Sequence, residues 1–166
     1  MQQETVKLEQ LMENESAPSC RSVRTIEFVR ESGIGKRDMS RILVVDDDEI
    51  LCRTLSHVLR HAGHEVVTAF DGAVALSLYS RDPVDLVVID LIMPGKEGLE
   101  TIIELRRMRS DLRIIAISGG RWAAAGDYLT MAKRLGATRT LAKPFSSREI
   151  LGSINETLGE DLLVAE

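Results

Sequence analysis

One stretch of the chain constrains its fold most: an unbroken apolar run, residues 86–89, that ends on the single carboxylate of Asp90. A turn containing Pro94 and Gly95 follows, and then a helical pattern begins. Short apolar runs bounded by turn signals are typical of strands buried on both faces. Asp90 is therefore predicted to lie at the carboxyl end of a buried strand, where open α/β sheets bind ligands. Taken alone, the carboxylate is better explained as a cap for the next turn.

The overall composition limits the classes of protein to be considered. The chain has 166 residues, of which 44% are hydrophobic and 28% charged, as in an ordinary globular domain. A net charge of -5 argues against a nucleic-acid-binding surface as the main activity. No apolar run approaches the roughly 18 residues of a membrane span, and the N-terminus lacks a signal-peptide core. Cys20 and Cys52 form no disulfide framework, which favours a reducing, cytoplasmic setting.

The chain divides into three parts. Residues 1–40 are poor in apolar side chains and are interrupted by Pro18, Gly33 and Gly35, so we predict a mobile N-terminal extension. Residues 41–158 carry a regular apolar pattern and are predicted to form one domain. Residues 159–166 remain as a C-terminal tail.

Within the domain, five short apolar runs alternate with five helical patterns. The predicted strands cover residues 42–45, 65–69, 84–90, 113–118 and 138–142. The predicted helices follow them at residues 50–62, 72–80, 97–108, 123–135 and 147–158. This alternation predicts an α/β fold, a doubly wound parallel sheet with right-handed crossovers and helices on both faces.

Polar side chains stand where the strands end. Asp46 and Asp47 follow the first strand, Asp90 ends the third, Ser118 the fourth, and Lys143 follows the fifth. In a doubly wound sheet these ends converge on one crevice. Two carboxylates about 4 Å apart repel by several kcal/mol, so the cluster needs a cation. Hard oxygen ligands suit Mg²⁺.

Such a site is equipped to hold a transferring phosphoryl group. A metal ion and the ammonium of Lys143 would balance its negative charge, and the hydroxyl of Ser118 would donate a hydrogen bond. Asp90, placed at the end of the central strand, would be the nucleophile and would form an aspartyl phosphate.

Four motifs in order resemble the receiver domain of two-component response regulators. They are ILVVDDDE (42–49), VVIDLIMPG (87–95), IIAISGG (114–120) and TLAKPF (140–145). The resemblance covers residues 41–158 and implies a flavodoxin-like fold with strand order 2-1-3-4-5. It also implies a phosphoprotein that takes its phosphoryl group from a histidine kinase or a histidine phosphotransfer protein.

The resemblance assigns the metal and phosphate ligands. Asp90 corresponds to the phosphoacceptor, which also binds Mg²⁺ together with Asp46 and Asp47. The main-chain carbonyl of Ile92 completes the protein ligands of the metal.

The remaining two motifs supply groups that contact the phosphoryl group. Ser118 matches the hydroxyl that moves on activation, and Lys143 matches the lysine that contacts phosphate. The same resemblance makes the Lys143–Pro144 peptide bond a candidate cis bond.

The sequence departs from the family at the position three residues before the lysine. An aromatic side chain often stands there and reorients on activation, but this chain has Thr140. Switching would then depend on Ser118 and on residues 119–125, where Trp122 either contacts a partner or packs on the fourth helix. Ile92 cannot hydrogen-bond an attacking water, which predicts slow self-dephosphorylation.

Three functions remain open on sequence grounds. As a receiver, the protein would signal by protein–protein contact or onward phosphotransfer, since only residues 159–166 follow the last helix, and it would catalyse only its own phosphorylation and dephosphorylation. A phosphohydrolase with an aspartyl nucleophile is the second function, because residues 46–48 supply a DxD spacing, although no insertion long enough for a cap domain is present. An adaptor that keeps the fold without phosphorylation is the third.

Other polar residues have simpler explanations. His57 and His61 stand near the end of the first helix, where imidazole complements the helix dipole, so a zinc site is not expected there. The basic run at residues 106–109 is interpreted as a solvated helix end. Asp48 is interpreted as the N-cap of the first helix.

Overall fold

A computed structural model describes residues 39–94, 97–119 and 124–159, with the side chains of 124–126 left out. The predicted extension and tail lie almost wholly outside these ranges, and so does Trp122. Within them, no helix is both long and apolar enough to cross a bilayer.

Five strands and five helices alternate along the described chain, as the apolar pattern predicts. The strands are β1 (Arg41–Val45), β2 (Glu65–Ala69), β3 (Leu86–Asp90), β4 (Arg113–Ser118) and β5 (Arg139–Ala142). The helices are α1 (Glu49–His61), α2 (Gly72–Arg81), α3 (Gly98–Met108), α4 (Ala124–Arg134) and α5 (Ser147–Leu158). The predicted bounds differ from these by no more than two residues.

The strands form one parallel sheet in the order β2-β1-β3-β4-β5, which confirms the predicted topology. The central strand β3 is buried at every position, and its Val88 is in register with Val44 of β1 and Ile115 of β4. The reversal of strand order falls between β1 and β3, so the crevice opens where their carboxyl ends lie side by side.

Two hydrophobic layers enclose the sheet. Val87 and Ile89 of β3 belong to the layer beneath α2, α3 and α4, and Leu86 and Val88 belong to the layer beneath α1 and α5. Successive side chains of a strand point to opposite faces, so a strand covered on both faces is apolar throughout. This explains why the strand runs of the sequence do not alternate with polar residues.

Local capping fixes where the helices begin. The Asp48 carboxylate accepts hydrogen bonds from the N–H groups of Ile50 and Leu51, so the predicted N-cap is confirmed. Ser146 caps α5 in a capping box with Glu149. These caps matter for the site, because only residues 46–48 separate β1 from α1 and only residues 143–146 separate β5 from α5.

The interpretation of residues 106–109 as a solvated helix end is wrong for Arg106. Its Nε lies 2.9 Å from the carbonyl oxygen of Gly136, its Nη2 also donates to that oxygen, and its Nη1 lies 2.6 Å from the carbonyl oxygen of Ser110. Burial lowers the pKa of this guanidinium. The side chain therefore joins the end of α3 to the turn between α4 and β5, whereas Arg107 is exposed.

Replacing Arg106 by methionine is expected to lower the free energy of unfolding by about 2 kcal/mol, because two carbonyl groups lose charged donors. Arg107→Met, one position further along the same helix, should change it by less than about 0.5 kcal/mol. Urea denaturation of both variants measures the difference. Equal stabilities would show that the contacts of Arg106 contribute nothing.

Candidate acidic phosphorylation site

The predicted site residues converge at the carboxyl-terminal edge of the sheet. Asp46 and Asp90 are buried, with 1% and 6% of their surface exposed, while Asp47 is exposed. Ser118 ends β4 and Lys143 follows β5, and the Lys143 N–H donates to the Ser118 carbonyl oxygen at 2.8 Å. Four neighbouring strand ends thus deliver two buried carboxylates, an exposed one, a hydroxyl and an ammonium to one place.

Lys143 links the two buried carboxylates. Its Nζ lies 2.6 Å from Oδ2 of Asp46 and 2.6 Å from Oδ2 of Asp90. The lysine side chain is 21% exposed, so the group reaches into the crevice from its rim. The ammonium therefore supplies positive charge at the point where the two carboxylates approach each other.

Backbone donors hold the other oxygen of each carboxylate. Oδ1 of Asp46 accepts the N–H of Asp48 at 2.9 Å, and Oδ1 of Asp90 accepts the N–H of Ile92 at 3.1 Å. Each buried carboxylate is consequently oriented from both sides, by the backbone at Oδ1 and by Lys143 at Oδ2. Such fixed orientation is what a nucleophile or a metal ligand requires.

Burial and charge act in opposite directions on these groups. Burial raises the pKa of Asp46 above its ordinary value, although the hydrogen bond from Lys143 opposes the shift. Burial also disfavours the charged form of Lys143, but the hydrogen bonds and charges of Asp46 and Asp90 outweigh it and raise its pKa. Lys143 is therefore cationic at neutral pH.

The donor set fits a hard divalent cation. Carboxylate oxygens of Asp46, Asp47 and Asp90 all lie within 4.8 Å of one another. Their carboxylates are the type of ligand that Mg²⁺ prefers, and a buried pair with an exposed third leaves room for water and phosphate oxygens. The cluster is an acidic pocket that could hold a metal ion.

Ser118 carries a buried hydroxyl for which the described part of the chain offers no partner. The residue is fully buried, and among the described residues its Oγ has no hydrogen-bond partner. A buried hydroxyl without a partner costs about 1 to 3 kcal/mol, so such groups are uncommon unless something else satisfies them. Ser118 ends β4, the strand next to β3, which ends on Asp90.

Two glycines beside the site have roles that the sequence pattern does not reveal. A Cβ on Gly98 would lie 2.1 Å from the carbonyl oxygen of Asp90, and a Cβ on Gly119 would lie 2.9 Å from Cβ of Lys143. Both positions permit close approach of the backbone to a site residue. In the sequence, the only sign of these close contacts is a glycine at the start of a helix and another at the end of a strand. Neither position reveals which site residue the backbone contacts.

The remaining predicted residues lie at the margin of the cluster. The Ile92 side chain is exposed and offers no polar group beside Asp90. Thr140 is half-buried on β5, three residues before Lys143, and the Lys143–Pro144 bond is cis, as predicted.

Cys52 lies beneath the pocket, where burial and the charge of Asp46 raise the pKa of its thiol to about 11.

Comparison with known families agrees with this geometry. Residues 42–155 match the family described as the response regulator receiver domain. The transcriptional regulatory protein CpxR of Klebsiella pneumoniae is 38% identical over 122 residues, which are 72% of this chain and 50% of the relative. The alkaline phosphatase synthesis transcriptional regulatory protein PhoP of Bacillus subtilis is 31% identical over 126 residues, 75% of this chain and 51% of the relative. The chain thus spans about half the length of the curated relatives it matches.

Solved structures show the same fold. A putative response regulator from Chloroflexus aurantiacus has 28% identity and a TM-score of 0.67, covering 74% of this chain and 99% of its own. A CheY-like response regulator receiver domain protein from Methanospirillum hungatei has 26% identity and a TM-score of 0.68, covering 73% and 94%. The motifs, the strand order and these matches agree, and the chain belongs to the family of response regulator receiver domains.

Proposed function

We propose that Asp90 accepts a phosphoryl group in a Mg²⁺-dependent reaction and that the protein signals through the resulting change of its surface. The single observation that carries the proposal is the link from Lys143 to both Asp46 and Asp90. A cation held between two buried carboxylates marks the position where negative charge must be balanced during transfer. The carboxylate of Asp90 ends the central strand of the sheet and faces this position.

The residues that would hold the metal ion are Asp46, Asp47 and Asp90, with the main-chain carbonyl of Ile92 as a fourth protein ligand. When bound, the ion supplies positive charge to phosphoryl oxygens. The acidic pocket supports this assignment through its oxygen-only donors and their spacing.

In the transfer step, a carboxylate oxygen of Asp90 forms a bond to phosphorus as the bond between phosphorus and the imidazole nitrogen of the donor breaks. The imidazole leaves with the electron pair of that bond and takes up a proton. Lys143 would balance the charge of the phosphoryl oxygens by turning from the carboxylate to the phosphoryl group. The protein would thus position the reacting groups and neutralise the charge of the phosphoryl oxygens, which is most of what phosphoryl transfer requires.

The Ser118 hydroxyl gives the phosphorylated state an additional bond. Since this buried group has no partner among the described residues, a phosphoryl oxygen on Asp90 would satisfy it. To move a two-state equilibrium from mostly off to mostly on, phosphorylation must stabilise the active state by about 5.5 kcal/mol. Two charge-assisted bonds and a metal ion are of the right size to supply this.

The partners follow from the chemistry. A histidine kinase or a histidine phosphotransfer protein would donate the phosphoryl group, and a downstream protein would bind the switched surface. A cytoplasmic setting fits Cys52, which is buried as a free thiol. Onward phosphotransfer is the other output compatible with an aspartyl phosphate.

The proposal predicts that acetyl phosphate with Mg²⁺ adds the mass of one phosphoryl group to the protein and that Asp90→Asn abolishes the addition. Intact-mass spectrometry measures both. Asp127→Asn, which changes an exposed carboxylate on α4, is the matched control and should be labelled as the wild type is. Labelling that persists in Asp90→Asn would contradict the assignment. Steady turnover of p-nitrophenyl phosphate would favour the phosphohydrolase instead.

Once formed, the phosphoryl group on Asp90 is expected to last far longer than seconds. Ile92 is the exposed side chain nearest in sequence to the acceptor on its loop, and it cannot orient an attacking water. Ile92→Asn supplies an amide that can do so and should shorten the lifetime about tenfold. Loss of the added mass after removal of acetyl phosphate gives the rate, and a wild-type lifetime of seconds would count against the prediction.

A further inference from the structure

A cavity opens at the amino-terminal edge of the sheet, beside the last turn of α2. Its volume is about 370 Å³. Its apolar lining consists of Leu43, Val67, Leu78, Tyr79 and Val84. Leu43 and Val84 are buried members of the hydrophobic layer beneath α2, so the cavity, here called the α2 cavity, reaches into the core.

The α2 cavity is separate from the acidic pocket. Its lining includes Arg41, the first residue of β1, and Val84, two residues before the start of β3. Asp90 lies at the other end of β3, and the length of that strand, about 13 Å, separates the two edges of the sheet. A ligand of the α2 cavity would therefore leave Asp90 accessible.

Ion pairs and backbone hydrogen bonds fix the border of the α2 cavity. The guanidinium of Arg41 forms ion pairs with Asp82, which follows α2, and with Glu65, which starts β2. The N–H of Arg41 donates to Oδ2 of Asp85 at 2.7 Å, and the N–H of Asp85 donates to the Arg41 carbonyl oxygen at 2.9 Å. Arg41 thus joins β1 to β2 and to the segment between α2 and β3. A cavity with such a border is formed before a ligand arrives, which lowers the cost of binding.

One cation of the border is free. The charged side chains that line the α2 cavity are Arg41, Arg81 and Asp82. Arg41 and Asp82 pair with each other, whereas the exposed Arg81 side chain has no ion-pair or hydrogen-bond partner among the described residues. The carboxylates of Glu65 and Asp85 are both engaged with Arg41. The positive charge of Arg81 is therefore the one that the border leaves uncompensated within the described part of the chain.

The lining and this charge define the chemistry of a ligand. Arg81 lies in the last turn of α2, where a cation complements the helix dipole, but that role leaves its side-chain donors free. Ligand sites of about 300 to 1,000 Å³ are typically lined by apolar side chains, with a few polar groups that orient the ligand. A carboxylate fits an arginine because its two oxygens match the guanidinium donors. An apolar group attached to that carboxylate would contact the apolar lining.

We infer that the α2 cavity binds a small carboxylic acid with an apolar body. Arg81 holds the carboxylate at the border, and the apolar body lies among Leu43, Leu78 and Val84. The free guanidinium selects an anion, because apolar contacts alone would accept an alcohol or an amine of the same chain length equally well. The inference does not depend on the proposed phosphorylation of Asp90.

The test uses hexanoate as the probe, with hexanol and hexylamine as controls that keep the chain and change the polar group. Each compound is titrated into the full chain in EDTA, which removes divalent cations that would hold a carboxylate at the acidic pocket. Hexanoate is expected to shift the amide NMR signals of Val67, Leu78 and Val84 with a dissociation constant of about 1 mM, and to leave the signal of Ser118 unchanged. Hexanol and hexylamine should bind at least about tenfold more weakly.

Variants test the role of Arg81. Arg81→Met should weaken hexanoate binding about tenfold and remove the preference for hexanoate over hexanol. Arg81→Lys keeps the charge and should keep most of that preference. Arg148→Met makes the same change at an exposed arginine of α5 and should bind hexanoate as the wild type does. Leu78→Trp fills the cavity and should abolish binding.

Arg81 is exposed, so Arg81→Met should fold even if circular dichroism shows that Leu78→Trp does not. Equal binding of hexanoate and hexanol by the wild type would overturn the inference. It would also be overturned if Arg81→Met and Arg148→Met bound hexanoate alike. The same holds if hexanoate, at ten times the expected dissociation constant, shifted no signal of the cavity lining or shifted only signals of the acidic pocket.

Discussion

Replacing Lys143 by methionine is expected to slow the labelling of Asp90 by acetyl phosphate about 100-fold. The Nζ atom lies 2.6 Å from both buried carboxylates, where the charge of the incoming phosphoryl group must be balanced. Methionine keeps most of the length of the side chain and removes its charge. The initial rate of labelling at a fixed Mg²⁺ concentration, followed by intact mass, measures the loss.

The same substitution is expected to lower the free energy of unfolding by about 2 kcal/mol in the absence of Mg²⁺. It leaves the carboxylates of Asp46 and Asp90 buried without their cation. The loss is smaller than the roughly 3 to 5 kcal/mol of a fully buried pair, because the Lys143 side chain is 21% exposed. Mg²⁺ should restore part of the loss, since an ion that binds only the folded state stabilises it. Urea denaturation in EDTA and in Mg²⁺ tests both statements.

Lys133 is the control for both measurements. It is exposed in the last turn of α4, and Lys133→Met makes the same chemical change outside the cluster. We expect its labelling rate and its stability to match the wild type. If Lys143→Met and Lys133→Met behaved alike, Lys143 would have no part in the proposed transfer.

The sequence predicted the architecture because its apolar runs are short and sharply ended. The run that precedes Asp90 has no polar residue, is short and is followed by a turn, which is typical of a strand covered on both faces. Gly63 ends α1 with a φ of +98°, and Ser146 starts α5 as a cap, so both helix limits could be predicted from residue types. Strand limits were less certain, because an apolar residue before a strand resembles one within it.

Contacts between distant parts of the chain could not be predicted from the local pattern of charged and apolar residues. Arg106 belongs to a run of charges, and a run of charges usually indicates a solvated surface. Its partner Gly136 is 30 residues away, and only the packing of α3 against the turn before β5 brings them together. The prediction was wrong there because charge patterning is a local signal and the interaction is not local.

For the site, residue types and strand order predicted which groups converge but not how they interact. Placing Asp46, Asp90 and Lys143 at neighbouring strand ends was sufficient to bring them together. That Lys143 bonds to both carboxylates, and that Ser118 has no partner among the described residues, depends on side-chain directions that the sequence does not carry. The roles of these residues in phosphoryl transfer stay predictions.

Gly98→Ala is expected to lower the free energy of unfolding by about 3 kcal/mol. The new Cβ would lie 2.1 Å from the carbonyl oxygen of Asp90 and 2.7 Å from Cα of Leu91. Both are backbone atoms, so no side-chain movement can relieve the overlap, and either α3 or the end of β3 must shift. Because α3 starts against the backbone of Asp90, either shift changes the surroundings of the acceptor, so the rate of labelling by acetyl phosphate should fall as well.

Gly152→Ala makes the identical change in α5, where a Cβ would meet nothing within 4 Å. Alanine is the better helix former by about 1 kcal/mol, so this variant should be more stable than the wild type. The same substitution is thus expected to have opposite signs at two helical glycines, with a difference of about 4 kcal/mol in urea denaturation. If Gly98→Ala were also stabilising, α3 would not start against the backbone of Asp90, and no close contact would require a glycine there.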